Sequence, residues 1–422
     1  MSTTLQKLAG KLSVLSVYQG VLQQPVPYAL ARLVREAARD PLRPRKFCKR
    51  WGALMHALCE QGAPYALSES VTQAILYDAN PFSIACAGGK PVPALLEAAA
   101  QRDLETLREA SELASEEILR QIGHPEWADL YALPVWETGV LPELMQGVPA
   151  WAAAHLREYY AAHGCGIYAQ YRAFIWRDKQ IQPVRYPDTT RMEDLKGYDL
   201  PRQAVVDNTV AFLRGAPANN CLLYGDRGTG KSSTVKAILN AYYDQGLRVI
   251  EMPKEFLMDF PKLVAQIAGL PMKFLIFIDD LSFSKQDDTY ASLKAVLEGG
   301  VAARPANTLI YATSNRRHLV RETFSDREGD EVHRGDSIQE SLSLADRFGL
   351  AVNFSQPDKA HFLEIVRQLA AQRGLQDHWA EMEKGAEIWA IARGGRSPRC
   401  ARQYVDAFAV KLQLETSLGQ HC

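Results

Sequence analysis

The sequence predicts an α/β protein: a parallel sheet with helices on both faces, a C-terminal helical lid, and a mostly α-helical N-terminal domain in front. Three observations predict it. From about residue 191, short apolar runs alternate with helical stretches, the pattern of parallel strands joined by right-handed crossovers. A glycine-rich loop follows the first of those runs and opens a helix. Beyond Pro357 only helical spacing remains.

Residues 1–163 read as short helices separated by Pro and Gly. One segment, from Ala94 to about Ile122, is rich in Ala, Glu, Leu and Arg, which lose little entropy in a helix. Residues 164–190 form a connecting segment with an aromatic run, Tyr168 to Trp176, that reads as strand. A turn at Arg177–Lys179 and a second strand from Ile181 to Tyr186 follow. The α/β core spans 191–356. Its strands are expected at Cys221–Tyr224, Leu247–Met252, Phe274–Ile278, Thr308–Ala312 and Leu350–Phe354. Val235, Ile238, Leu239 and Tyr242 mark the face of the first helix, with Gly246 as its stop. The lid covers 357–422, and Phe362, Ile365, Val366 and Leu369 form the stripe of its first helix.

The chemistry begins at Gly225-Asp226-Arg227-Gly228-Thr229-Gly230-Lys231-Ser232, followed by Ser233. This run matches the P-loop pattern at every fixed position, directly after a strand and at the start of a helix. Glycines let backbone N–H groups converge on phosphate oxygens at a helix N-terminus whose dipole favours anions. Lys231 is placed to meet the outer phosphates and Ser232 to ligate Mg²⁺. Phe274 to Ile278, then Asp279-Asp280, has the form of a buried strand delivering an acid to the carboxyl edge of the sheet. There Asp279 can hold a Mg²⁺ shell. ATP and Mg²⁺ are therefore the expected cofactors. The Asn-Lys-x-Asp motif that reads guanine is absent, which favours ATP over GTP.

With these two motifs in place, the remainder resembles AAA+ P-loop ATPases over roughly residues 191–414. Leu309 to Arg316 resembles the sensor-1 strand, with Asn315 at its tip. Leu344-Ala345-Asp346-Arg347-Phe348 resembles the segment carrying the arginine finger, Arg347. Gly395-Arg396-Ser397-Pro398-Arg399 is similar to the sensor-2 motif, with Arg399 in the sensing role and Arg396 as its rival. Leu195-Lys196-Gly197-Tyr198 resembles the segment lining the adenine pocket, through Gly197 and Tyr198. More narrowly, the run from Asp279 through His333-Arg334-Gly335-Asp336 to Leu350 resembles an uncharacterised bacterial family of predicted AAA+ ATPases of unknown role. The resemblance implies ATP hydrolysis at a subunit interface, hence a homo-oligomer formed with ATP.

One position departs from that pattern. Asp280 stands where most AAA+ enzymes place a water-polarising Glu, which draws the carboxylate back by about 1.5 Å, roughly one bond length. Misplacement near 1 Å costs on the order of 10²-fold in rate. Glu251, near the carboxyl end of its strand, is a candidate to share the water-activating role. That requires its strand to neighbour the one ending in Asp279; the alternative is a solvated strand end or a pair with Lys254.

Composition limits the partners. Lys+Arg number 48 against Asp+Glu 49, so no global field gathers nucleic acid or anionic membrane. A local cluster, Arg43, Arg45, Lys46, Lys49 and Arg50 with Phe47 and Trp51, offers either a nucleic-acid contact or a solvated helix face. The charged stretch Arg321–Gln339 suggests a loop that contacts another subunit. Seven cysteines without CxxC spacing fit a reducing compartment. With no signal peptide and no run of eighteen apolar residues, a cytoplasmic location is expected. The function implied is Mg²⁺-dependent ATP hydrolysis that remodels a protein or nucleic-acid complex, with an unknown protein substrate or adaptor met through the N-terminal domain. The alternatives are a nucleotide-gated switch or scaffold with little hydrolysis, and a P-loop kinase.

Overall fold

The computed structural model describes residues 4–60, 66–139, 152–282, 293–294, 296–297, 305–315 and 347–419. The chain divides into two compact units, Met1–Gln170 with Gly269–Met272, and Tyr171–Ala268 with Lys273–Cys422. The charged stretch 321–339 and residues 316–346 generally lie outside the described residues.

Among the described residues, the named elements of the first unit are helices. Its core gathers Tyr18, Phe47, Trp51, Phe82 and Tyr160, all fully buried. The segment from Ala94, rich in helix-favouring residues, forms two helices, Ala94–Ser111 and Ser115–Gln121. At the break, the buried Ser111 turns its hydroxyl back onto the Arg108 carbonyl at 2.9 Å, a local competitor for helical bonding. For the basic and aromatic cluster, the structure favours the solvated helix face. Phe47 and Trp51 pack together in the core with ring centroids 5.6 Å apart, and the Trp51 indole donates to Pro134 O at 2.8 Å. They offer no platform for a base. Arg43 binds the Glu36 carboxylate through two bonds of 2.7 and 3.0 Å.

The second unit is built on a seven-stranded sheet: β1 (Ala173–Arg177), β2 (Gln180–Pro183), β3 (Cys221–Gly225), β4 (Leu247–Glu251), β5 (Lys273–Ile278), β6 (Thr308–Ser314) and β7 (Leu350–Phe354). Their order is β2-β1-β4-β5-β6-β3-β7, and every pairing is parallel except the β1–β2 hairpin. Asp178 and Lys179, both at positive φ, make the tight turn of that hairpin. The aromatic run begins its strand only at Ala173; Gly166–Gln170 is a short helix, and β2 ends at Pro183 rather than at Tyr186.

Both faces of the central strands are covered. Leu223, Val249, Leu275, Phe277, Leu309 and Tyr311 pack with Val205, Phe212, Val235 and Ile238 from the helices Asp199–Leu213 and Lys231–Tyr242. The alternate positions Leu222, Ile250, Ile276, Ile278 and Ile310 are equally buried. Such continuous burial is what parallel strands with helices on both sides require. Three helices, Lys359–Gln372, Trp379–Ala392 and Pro398–Gly419, form the lid around their own core of Phe362, Val366, Met382, Ala386 and Val405.

The order explains where a ligand belongs. After β3 the chain crosses to β4, three places away, and returns through β5 and β6 to lie beside β3 again. Open α/β sheets bind ligands at the carboxyl ends of strands where the winding reverses. Here those ends carry Gly225 on β3, Ser314 on β6 and Ile278 on β5, immediately before the P-loop, Asn315 and Asp279.

Candidate nucleotide site

The loop after β3 is shaped by close backbone approaches. Gly225 has φ 131°, and a Cβ there would collide with the Phe354 carbonyl of β7. Gly228 has φ 77°, and a Cβ there would press on Ser397 and on Arg399 of the lid, 3.0 and 3.2 Å away. Lys231 opens the following helix and is buried. Its ammonium donates to Gly225 O at 2.8 Å, to Asp226 O at 2.6 Å and to Asn315 Oδ1 at 3.4 Å. Desolvation holds its pKa below the usual lysine value, against the opposing pull of Asp226, Asp279 and Asp280. A buried cation resting on neutral carbonyls is one that an anion would satisfy further.

Ser232 donates to Asp279 Oδ1 at 2.7 Å, across from the P-loop helix to the end of β5. Thr313 Oγ1 donates to the same oxygen at 2.5 Å and accepts the Asp280 N–H at 2.9 Å. Asp280 sits at φ 51°, in the left-handed region that Asp adopts more readily than most non-glycine residues. Its Oδ1 accepts from Asn315 Nδ2 at 2.6 Å. The hydroxyl of Ser232 with the carboxylate of Asp279 suits Mg²⁺, which takes few protein ligands and fills the rest of its shell with water and phosphate. Among the described residues no cluster of three or more His, Cys, Asp or Glu side chains forms a closed metal cage.

These groups line one cavity of about 610 Å³. Arg227 to Ser233, Asp279, Asp280, Thr313, Asn315 and Arg399 are among its lining residues. Thr190, Leu195, Lys196, Ile365 and Leu369 line it as well. Gly225 and Asp226 frame the loop from outside that lining. Arg399 also donates its backbone N–H to Gly228 O at 3.2 Å, while Arg396 is held by the Glu387 carboxylate through bonds of 2.9 and 3.0 Å. Of the two arginines offered for the sensor-2 role, Arg399 lines the cavity and Arg396 does not.

Other expected residues lie elsewhere. Gly197 packs against Ile365, and the Tyr198 ring stacks on Phe354 with centroids 5.5 Å apart; neither is among the cavity-lining residues. Arg347, half-buried, is likewise outside that lining. β4 does neighbour β5, but Glu251 stands opposite Phe277, exposed and away from the cavity lining.

Among the lining residues to which the sequence assigned no role are Thr313, Arg202 and Arg402. Thr313 precedes Asn315 by two, so strand alternation places both on one face. Arg402 follows Arg399 by one helical turn. Arg202 carried no comparable signal.

The family profile described as "Protein of unknown function (DUF815)" matches residues 169–412. The chain belongs to this family. The match spans the whole sheet and most of the lid, and leaves most of the helical N-terminal unit outside it. Among solved structures, the chain is similar to the Thermotoga maritima RuvB Holliday junction branch migration motor. Identity is 13%, over 52% of this chain and 72% of that one, with a TM-score of 0.30. A point variant of the same Thermotoga maritima protein gives the same values. So loose a superposition adds nothing to the site. Among the described residues, no helix is long and apolar enough to cross a membrane.

Proposed function

We propose that this protein binds ATP with Mg²⁺ and hydrolyses it, using the energy to remodel a protein or nucleic-acid complex met through the helical N-terminal unit. One observation carries the reading: the ends of three adjacent strands bring Lys231, the Ser232–Asp279 pair and the Asp280–Asn315 pair to one cavity, with Arg399 of the lid beside them. Lys231 and the loop amides would hold the β- and γ-phosphates. Ser232 and Asp279 would hold Mg²⁺, which would neutralise charge developing on the transferred phosphoryl group. Asp280, oriented by Asn315, would accept the proton of the attacking water. Gly197 and Tyr198 would act on the adenine end only indirectly, by shaping the segment that carries Leu195 and Lys196. Arg347 would complete a neighbouring subunit's site, so the active form would be an ATP-induced homo-oligomer.

A second reading, a nucleotide-gated switch with little hydrolysis, is favoured by Asp280 itself. Its side chain is one methylene short of Glu, and one of its oxygens is already occupied by Asn315. Steady-state ATP turnover separates the two. Asp280→Asn should lower turnover by about 10²-fold or more while ATP still binds. Glu251→Gln tests the shared base: a rate equal to wild type leaves Asp280 acting alone, and a comparable loss makes Glu251 its partner. A wild-type protein that binds MgATP without measurable turnover would select the switch.

A further inference from the structure

The connection from β7 to the lid is gripped by two residues from segments beside the cavity. Ser355 O accepts the Tyr198 hydroxyl at 2.6 Å, and the next residue, Gln356, donates its backbone N–H to Asp226 Oδ2 at 2.6 Å. Tyr198 closes the segment that lines the cavity through Leu195 and Lys196, and Asp226 is the second residue of the P-loop. The two anchors therefore come from two different segments beside the cavity, yet they meet on consecutive residues of one linker.

Each anchor is constrained by its own surroundings. Tyr198 is held at φ 60°, left-handed, with its ring on Phe354, the last residue of β7. Burial, with the neighbouring Asp226 carboxylate, pushes its phenol well above the ordinary range, so the hydroxyl stays a proton donor. Asp226 is fixed by three groups at once. Its N–H donates to Phe354 O at 3.1 Å, its carboxylate takes Gln356, and its carbonyl takes both Lys231 Nζ at 2.6 Å and Thr229 Oγ1 at 2.9 Å. The linker is also pinned from the lid side, where Gly395 at φ 134° leaves room for the Gln356 side chain that a Cβ would displace.

We infer that Tyr198 and Asp226 are positioning residues forming a two-point latch on Ser355–Gln356, which transmits nucleotide occupancy to the angle of the lid. The inference rests on the ATP-binding reading above. A phosphate that engages Lys231 competes with the Asp226 carbonyl for the ammonium. The Asp226 peptide then shifts, and its carboxylate carries the shift to Gln356. Ligand packing against Leu195 moves the turn that ends in Tyr198, and through its hydroxyl the carbonyl of Ser355. A change of a few degrees at these two peptides swings the three lid helices, because the linker is their entry into the fold.

Hydrogen exchange on the full chain tests this, with Tyr198→Phe, Asp226→Ala, Asp226→Asn and the Tyr198→Phe/Asp226→Ala double variant. Without nucleotide, Asp226→Ala should speed exchange of the Gln356 amide about five-fold, the scale of one net hydrogen bond. Asp226→Asn, whose amide oxygen still accepts, should stay near wild type. With MgATP, wild type should show changed protection over residues 396–405, and the double variant should lose that response. Gln356→Pro, which deletes the same donor from outside the P-loop, should weaken the response as Asp226→Ala does. Unchanged Gln356 exchange in Asp226→Ala, or a wild-type lid response in the double variant, would overturn the latch. If wild type takes up no MgATP, the ATP-binding reading fails instead, and the nucleotide-free comparison still decides the latch.

Discussion

The two units bury charge in opposite ways. In the helical unit, Asp103 is almost wholly buried, and one of its oxygens accepts the N–H groups of Ser16, Val17 and Tyr18 at 2.7, 2.6 and 3.1 Å. Glu36, also buried, is held by Arg43 and approached by Arg39 and Lys46, and the Arg43 bonds are chief among the influences drawing its pKa below the carboxylate norm despite burial. Both networks are closed. In the α/β unit, Lys231 rests on two carbonyls, and a hydroxyl and a carboxylate pair face an open cavity. A saturated buried charge stabilises one geometry; one that still faces a cavity can take a ligand.

That contrast can be broken by substitution. The largest effect expected is on turnover: Arg347→Ala should cut it on the order of 10³-fold while leaving ATP affinity nearly intact, because an arginine supplied across an interface acts on the transition state. Sedimentation with and without ATP, alongside the kinetics, checks it. A protein that stays monomeric with ATP yet hydrolyses normally would remove Arg347 from that role.

A smaller effect is expected in the closed network. Asp103→Ala removes the acceptor of the exposed Ser16 N–H and of the buried Val17 and Tyr18 N–H groups, and should destabilise the protein by roughly 3–6 kcal/mol, given about 1.5–3 for each of the two buried bonds to a charged group. Asp103→Asn, which keeps an acceptor oxygen, should lose less. Thermal melts of the two variants measure the difference. Equal losses would mean that the charge itself, rather than the acceptor geometry, holds Ser16–Tyr18 in place.

The sequence made the α/β unit far more legible than the helical one, for a physical reason. The phosphate loop and the Asp279 strand are contiguous runs whose chemistry demands fixed spacing, so Lys231, Ser232 and Asp279 could be read directly and are found together. The strands of the sheet followed from apolar runs of strand length and the lid from helical spacing beyond Pro357, whereas the pairing of β4 with β5 was expected only from the family resemblance. Asp103 could not be read, because its partners lie more than eighty residues away and no local pattern marks the meeting. The basic cluster left two readings open, and the structure favours the solvated helix face, because Phe47 and Trp51 face inward on a helix whose other face carries the charges. Tyr198 was expected to line an adenine pocket, whereas its grip on Ser355 depends on a linker 157 residues further along and carried no local signal.

The central claim is that the cavity at the ends of β3, β5 and β6 is a MgATP site built on Lys231. Isothermal titration of MgATP into wild type and Lys231→Ala, with circular dichroism to verify that both are folded, tests it most directly. The account predicts saturable binding by wild type and a loss of affinity of about 10²-fold or more in the variant, since a charge-assisted contact to phosphate is removed while the core is untouched. A folded Lys231→Ala protein that binds MgATP as tightly as wild type would contradict it.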